Sequence, residues 1–453
     1  MNLFIIVIKN MRQRVLATLL TALSVALGVA LTVAILLIRH GMQQRFEQST
    51  LGYEMVVGAK GSPLQLVLNT VFNLDISPGN VSWKLFEELR DDKRVKFAAP
   101  FSVGDNYKGF RIVGATDTYL KDFEFAEGEK FRLAEGRIFN FNEPALKEAF
   151  EEATGRARER IARERGETPP LAPPQPKHEH AETAEAVIGA TAAQETGLKI
   201  GQTFVAAHGV QDTASAEHHE HNPWTVVGIL SPTHTACDRA IYINLDSFYH
   251  IEGHEVRPTK EEEQEKDNDP DAGQISAIVL KLRSPLSALP LYREINDRTD
   301  AMAAFPAAEV RKLFDIVGNV DRVLFAQAIL IIIVAGIAVA VSIYNSMSER
   351  RREIAILRAL GARRQTIFTI VVLEAMMICT LGGVGGILAG HAIVGVANAV
   401  LVRASGFQVA AGQFQWMELA VLAGCILLGA LSGLGPAARA YRTEVAENLA
   451  LTS

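Results

Sequence analysis

Four stretches of this 453-residue chain are long and apolar enough to cross a bilayer, and they constrain everything else. Residues 15–38 contain no charged side chain over 24 positions. At 1.5 Å rise per residue, a helix of that length reaches roughly 36 Å, more than a hydrocarbon core of about 30 Å. Residues 323–344 are a second uncharged run. The third extends from about 367 to 397, with only Glu374 and His391 inside it, and the fourth covers about 419–438. Backbone in lipid must satisfy its own hydrogen bonds, so each run is expected to be a helix.

Lys9, Arg12 and Arg14 precede the first run. Its apolar stretch is too long for a cleaved signal and no A-x-A site follows, so it reads as an uncleaved anchor. Arg350, Arg351, Arg352, Arg358, Arg363 and Arg364 lie between the second and third runs, and Arg439 and Arg442 follow the fourth. The positive-inside rule puts all three clusters on one side if there are four spans with both termini cytoplasmic. The implied organisation is a cytoplasmic start and first span at 1–40, then an extracytoplasmic domain at 41–321. Spans and connections follow at 322–345, 346–365 (cytoplasmic), 366–398, 399–418 (a short outer loop) and 419–453. The localisation expected is a bacterial inner membrane, with lipid as an obligatory partner.

The middle of the chain holds most of the acidic residues. The formal net charge of −6 leaves no basic face for nucleic acid. Apolar runs bounded by Gly, Pro and Asp predict strands at 96–103, 110–115, 186–190, 203–208, 224–230, 239–245 and 274–282. Short helices are expected at 83–90 and 286–296. The fold class is therefore a four-helix membrane protein carrying a large mixed α+β domain of two lobes between the first and second spans. Residues 142–165 are rich in Ala, Glu and Arg and predict a solvated helix. Five prolines at 169–176 break it, so about 141–182 reads as an exposed insertion.

Between the second and third spans, residues 348–364 read as one amphipathic helix. Ile354, Leu357 and Leu360 recur every three residues, Glu349 and Glu353 stand toward the start, and Arg358 near the end. Gly361 is placed to stop it. Arginines that only enforced topology would need neither an apolar stripe nor a glycine stop. A short rigid helix of this kind is a lever that a cytoplasmic partner can grip, through Glu349, Arg350, Arg351, Arg352, Glu353, Ile354, Leu357, Arg358, Leu360 and Gly361.

These residues with Glu374, the run Leu-Gly-Gly-Val-Gly-Gly-Ile-Leu-Ala-Gly at 381–390, and Gly-Leu-Gly-Pro-Ala-Ala-Arg-Ala at 433–440 resemble the MacB/FtsX family of ABC transporter permeases. The pattern around 189–201 and 224–246 is similar to the family's MacB-type periplasmic core domain. The tail Thr443-Glu444-Val445 lacks a proline usual in the family. The resemblance implies a permease subunit, acting as a homodimer or as one of two paired homologues, that binds a separate cytoplasmic ATPase and relays its closure to the outer domain. It leaves open an export or zinc-linked transporter, an FtsX-like transmitter acting on an extracytoplasmic partner or adaptor, and a lipoprotein-extracting permease. Gly382, Gly383, Gly385, Gly386 and Gly390 are expected to let helices approach closely.

A phosphate-cradling loop needs Gly-Lys-Ser/Thr, and the chain has no Gly-Lys pair. Neither H-E-x-x-H nor G-x-S-x-G occurs, so no catalytic residue is expected, and ATP belongs to the partner. Nine of eleven histidines fall between 178 and 254. His178, His180, His218, His219 and His221 form two tracts, and His234 with Cys237 shares a loop between predicted strands. Imidazole, thiolate and carboxylate are zinc's ligand set, so these seven residues are the candidate metal ligands.

Overall fold

The computed structural model describes residues 3–50, 52–165, 184–209, 223–250, 273–349, 351–359, 361–405 and 412–442. It divides into two compact units, 1–44 with 315–453, and 45–314.

In chain order the helices and strands are α1 (Leu3–Gln13), α2 (Val15–Thr50), β1 (Met55–Ala59), α3 (Pro63–Thr70), β2 (Val81–Ser82), α4 (Trp83–Asp91), β3 (Val95–Tyr107), β4 (Phe110–Ala115), α5 (Asp117–Asp122), β5 (Glu124–Ala126), β6 (Glu129–Lys130) and β7 (Leu133–Gly136). Then come α6 (Glu143–Arg165), β8 (Glu185–Ile188), α7 (Ala190–Thr196), β9 (Thr203–Phe204), β10 (Ala207–His208), β11 (Trp224–Leu230), β12 (Ala240–Asn244), α8 (Leu245–Tyr249), β13 (Gln274–Ile275), β14 (Ala277–Leu282), α9 (Ala288–Arg298) and β15 (Ala301–Ala304). The chain continues through α10 (Pro306–Glu349), α11 (Arg351–Ala359), α12 (Arg364–Ser405) and α13 (Trp416–Arg442).

Unit 45–314 is built on one mixed sheet of order β15-β1-β14-β3-β4-β12-β8-β11-β7, with β10 on β3 and β9 on β11. The 13-residue β3 is the shared thread. Its first half pairs antiparallel with β14, Phe101 opposite Ala277. Its second half pairs with β4, Ser102 opposite Gly114. The two halves of the sheet thus meet inside a single strand. Ser276 reinforces the junction: its Oγ accepts the Val103 N–H at 3.2 Å. The strands expected at 110–115, 224–230 and 274–282 are present. The strand expected at 186–190 ends at Ile188, and Gly189 opens α7. A Cβ on Gly189 would fall 2.5 Å from the Asp238 carbonyl oxygen, so only glycine lets the backbones pass this closely.

One expectation is overturned. The helix at 142–165 is not a solvated insertion. Leu146, Ala149, Phe150, Ala153 and Ala157 are buried along one face of α6. That 3–4 spacing seats the helix on α8 and on Trp83, with the Phe150 and Tyr249 rings 4.7 Å apart. Its opposite face keeps Glu and Arg in water, including the Arg163–Glu159 pair. Alanines carry most of the buried stripe, and composition alone made them look solvated.

At the N-terminal turn of α8 the Asp246 side chain is 2% exposed. The Asn244 amide donates to one carboxylate oxygen at 2.9 Å, while the other meets no hydrogen-bond donor among the described residues. Burial pushes this carboxyl from its ordinary value near 3.8 up to about 6. The folded chain therefore keeps a proton that the unfolded chain releases between about pH 4 and pH 6. Stability falls as pH rises through that window and stays lower above it. Asp246→Asn is expected to stabilise the full chain in detergent at pH 8 by on the order of 2 kcal/mol, and so to raise its thermal midpoint. The gain should shrink toward zero at pH 4.5, as followed by thermal melts across that range.

Candidate functional site

Among the described residues four helices are long and apolar enough to cross a membrane: Val15–Thr50, Arg322–Met347, Arg364–Asn398 and Trp416–Arg439. Their contacts show which glycines matter. A Cβ on Gly382 would fall 2.7 Å from the Ala22 carbonyl oxygen. One on Gly386 would fall 2.7 Å from that of Ala26, and one on Gly390 3.0 Å from that of Ala30. Glycines four residues apart on α12 thus lie against successive turns of α2, each beside Val25, Val29 or Val33. Gly383 faces elsewhere, toward Leu422 of α13. Gly385 is exposed, with nothing within 4 Å of its would-be Cβ, so the structure gives it no packing partner. On α13, Gly429 and Gly433 approach Ala375 of α12 in the same way, a pairing that sequence reading passed over.

The connection between α10 and α12 holds α11. Gly361 adopts φ +96, and its N–H donates to the Arg358 carbonyl at 3.0 Å, a left-handed stop that suits glycine. The chain then turns into α12, whose first turn is closed by the Thr366 N–H on the Arg363 carbonyl at 2.9 Å. Ile354 is 8% exposed and packs in one cluster with Val7 and Met11 of α1 and Ile367, Ile370 and Val371 of α12. Ile356 is 44% exposed. Two residues apart on a helix is about 200°, so the two isoleucines look in opposite directions. Arg350 and Leu360 lie outside the described residues, as do the side chains of Glu349, Arg351, Arg352, Glu353 and Leu357. The sequence stripe drew attention to Ile354. Its place inside the bundle leaves Ile356 as the apolar side chain that α11 presents outward among the described residues.

The intramembrane polar residues are both engaged. Glu374 is buried. His391 Nε2 lies 3.0 Å from Glu418 Oε2, joining α12 to the start of α13. The other oxygen of Glu418 accepts the Gln415 backbone N–H at 3.1 Å, which ties this carboxylate to the first turn of its own helix. Starting the fourth span at 419 had left Glu418 in a loop and hidden the pair.

The histidine tracts at 178–180 and 218–221 (His178, His180, His218, His219, His221) lie outside the described residues. His234 and Cys237 are described, and their side chains go to different environments. His234 is exposed, at φ +58, and its backbone N–H donates to Asp238 at 2.7 Å. Cys237 is buried, its Sγ 3.5 Å from the Tyr53 hydroxyl and 3.7 Å from that of Tyr119. Burial pushes both tyrosine hydroxyls well above their ordinary value, so they stay protonated and hydrogen-bond each other at 2.8 Å. The thiol thus belongs to an aromatic core, and the expected pairing of His234 with Cys237 is not formed. Among the described residues no group of three or more His, Cys, Asp or Glu could hold a metal ion.

Two family patterns match this chain, "MacB-like periplasmic core domain" over 18–297 and "FtsX-like permease C-terminal" over 325–445. The chain belongs to the MacB/FtsX family of ABC transporter permeases. Within the family, it is similar to "Macrolide export ATP-binding/permease protein MacB" of Nitrobacter winogradskyi, 34% identical over 152 residues, which are 33% of this chain and 22% of that protein. The Bordetella avium protein of the same name is 36% identical over 129 residues, 27% of this chain and 18% of its own. The matched segments span about a fifth of the length of these curated relatives. The crystal structure of the periplasmic region of MacB from Actinobacillus actinomycetemcomitans is a looser likeness, with 11% identity, TM-score 0.30, and coverage of 58% of this chain and 94% of that one. As a MacB/FtsX permease, the chain has four transmembrane helices with a large α/β domain between the first two.

Replacing Gly386 with Val puts a branched side chain where a Cβ would already be 2.5 Å from that of Val29. Overpacking of this kind costs about 1–3 kcal/mol. Gly386→Val is expected to lower the thermal unfolding midpoint of the detergent-solubilised chain clearly, while Gly385→Val leaves it nearly unchanged. Equal effects would overturn the assignment of the two faces.

Proposed function

We propose that this chain is the membrane subunit of an ABC transporter, and that it relays ATP-driven movement of a separate cytoplasmic ATPase to an extracytoplasmic domain at 41–321. The observation that carries this reading is α10. One 44-residue helix follows β15 in the chain and ends one residue before α11. A continuous helix leaves no loop in which a displacement is lost, and beyond it Gly361 ends α11 with a sharp turn rather than a slack loop.

The names of the family's relatives support the ATP-driven part of the reading: they are macrolide export ATP-binding/permease proteins. That name describes those proteins, and the substrate of this one stays open in the proposal. The three arginine-rich clusters support a topology with α11 and both termini in the cytoplasm of the inner-membrane cell and 41–321 outside. In this reading Ile356 is the apolar knob that the ATPase grips, beside Arg358, while Ile354 holds α11 on the bundle. Two copies of the chain would serve two ATPase subunits.

Two measurements test the reading. Cys237, Cys379 and Cys425 are all buried, so a membrane-impermeant thiol reagent reports on introduced cysteines alone. Cysteines placed in 41–320 are expected to label in intact spheroplasts, and those in 345–365 only after lysis. Labelling of both sets from one side overturns the topology. Separately, Ile356→Asp is expected to cut the chain's stimulation of its ATPase about tenfold while leaving its melting midpoint unchanged, as for a small central interface residue. Unaltered stimulation would remove Ile356 from the contact.

A further inference from the structure

The helix α1 is not used by the reading above, and its surface is divided in a telling way. On a wheel of 100° per residue, Leu3, Val7 and Met11 form one sector. Val7 and Met11 are buried in the bundle cluster with Ile354 and Ile367, and Leu3 packs against it. The next sector, about 100° wide, holds Phe4, Ile8 and Ile5, which are 52%, 40% and 55% exposed. Arg12, also exposed, lies inside that second sector between Ile8 and Ile5, and Lys9, exposed too, flanks it on the far side. Ile6 packs against the same cluster, so the covered face spans about 140°, and apolar side chains continue for about 100° beyond it, with positive charge on and beside that uncovered part.

Only Arg14 separates α1 from α2. α2 opens with Val15 and Leu16, 57% and 75% exposed, at the start of a membrane span. A helix tied by one residue to the end of a span lies at the membrane surface whichever side that is. Exposed apolar side chains there enter the acyl region, and lysine and arginine stems extend along them to bring their charges to the phosphates.

We propose that α1 is an interfacial helix that docks on the bilayer surface, and that Lys9 and Arg12 select anionic phospholipid headgroups. The apolar sector supplies insertion, and the two cations supply the preference for negative lipid. Because Val7 and Met11 share a cluster with Ile354, lipid bound at α1 also braces the packing of α11. The inference requires only that α2 crosses the bilayer. It stands or falls independently of the sidedness and the ATPase partner proposed above.

The test uses the full chain reconstituted in phosphatidylcholine vesicles. An environment-sensitive dye is attached at Phe4→Cys, the native thiols being buried. Acyl-brominated phosphatidylcholine is expected to quench this dye strongly and a dye at Gln13→Cys, on the polar side, weakly. At equal trace amounts and low salt, spin-labelled phosphatidylglycerol should quench the Phe4→Cys dye about threefold more than spin-labelled phosphatidylcholine. The preference should vanish in 0.5 M salt and in the Lys9→Gln, Arg12→Gln double variant, whose quenching by phosphatidylcholine stays unchanged. A dye silent to both lipids means that protein, a second copy or another subunit, covers the face, and overturns the proposal. Equal quenching by the two lipids in the unmodified helix overturns the anionic selection. Should Phe4→Cys prevent reconstitution, Ile8→Cys carries the dye on the same sector.

Discussion

Leucine is no better off against another helix than against lipid, so apolar burial cannot by itself hold a membrane bundle together. Close backbone approach can. Gly382, Gly386 and Gly390 bring α12 within van der Waals reach of carbonyls on three successive turns of α2, and Gly429 and Gly433 bring α13 against α12. These contacts make α12 the centre of the unit. The exposure of the spans follows from it: half of the most apolar window in α2 and in α12 is buried, against 22% in α10 and α13. A bundle that depends on glycine contact has little tolerance for added methyl groups, because no neighbouring side chain can move aside when the obstacle is backbone.

The domain between the first and second spans solves a different problem by a related route. Water surrounds it, so its core is large and aromatic, with Trp83, Phe86 and Phe150 on one side of the sheet system and Trp224 with Phe204 further along. What keeps its two halves in register is the strand β3, which pairs with β14 before Ser102 and with β4 from Ser102 onward. A flexible linker between two lobes would let a load dissipate. A shared strand, stitched by Ser276 to Val103, leaves no such slack.

Much of this was legible in the residues. Long uncharged runs announce spans because lipid offers no alternative partner for a backbone. The strands at 224–230 and 274–282 announce themselves through β-branched runs between turn residues. The misreadings share a cause, which is that composition does not report facing. The alanines of α6 look solvated until their 3–4 spacing is laid on a helix. Cys237 looks like a ligand beside His234 until the chain turns at the left-handed His234 and sends the thiol inward to Tyr53 and Tyr119. Gly385 looks like its neighbours in a glycine-rich run, yet a step of one residue rotates it by about 100° away from α2. Glu418 was hidden for another reason: where a span begins depends on its cap, and the cap here is a carboxylate that also serves His391.

The elbow shows why facing, more than residue type, decides what such a chain can do. Ile354 and Ile356 are chemically identical and two positions apart. One is part of the cluster that fastens α11 to α1 and α12, and the other stands in the open. Ile356 therefore stands on a helix whose other side is already packed into the bundle. With only hydrophilic residues on the fixed side, α11 would float free of α12, and Gly361 would act as a hinge. Packed as it is, the same glycine sets a fixed corner, because the residues on both sides of it are anchored to one core.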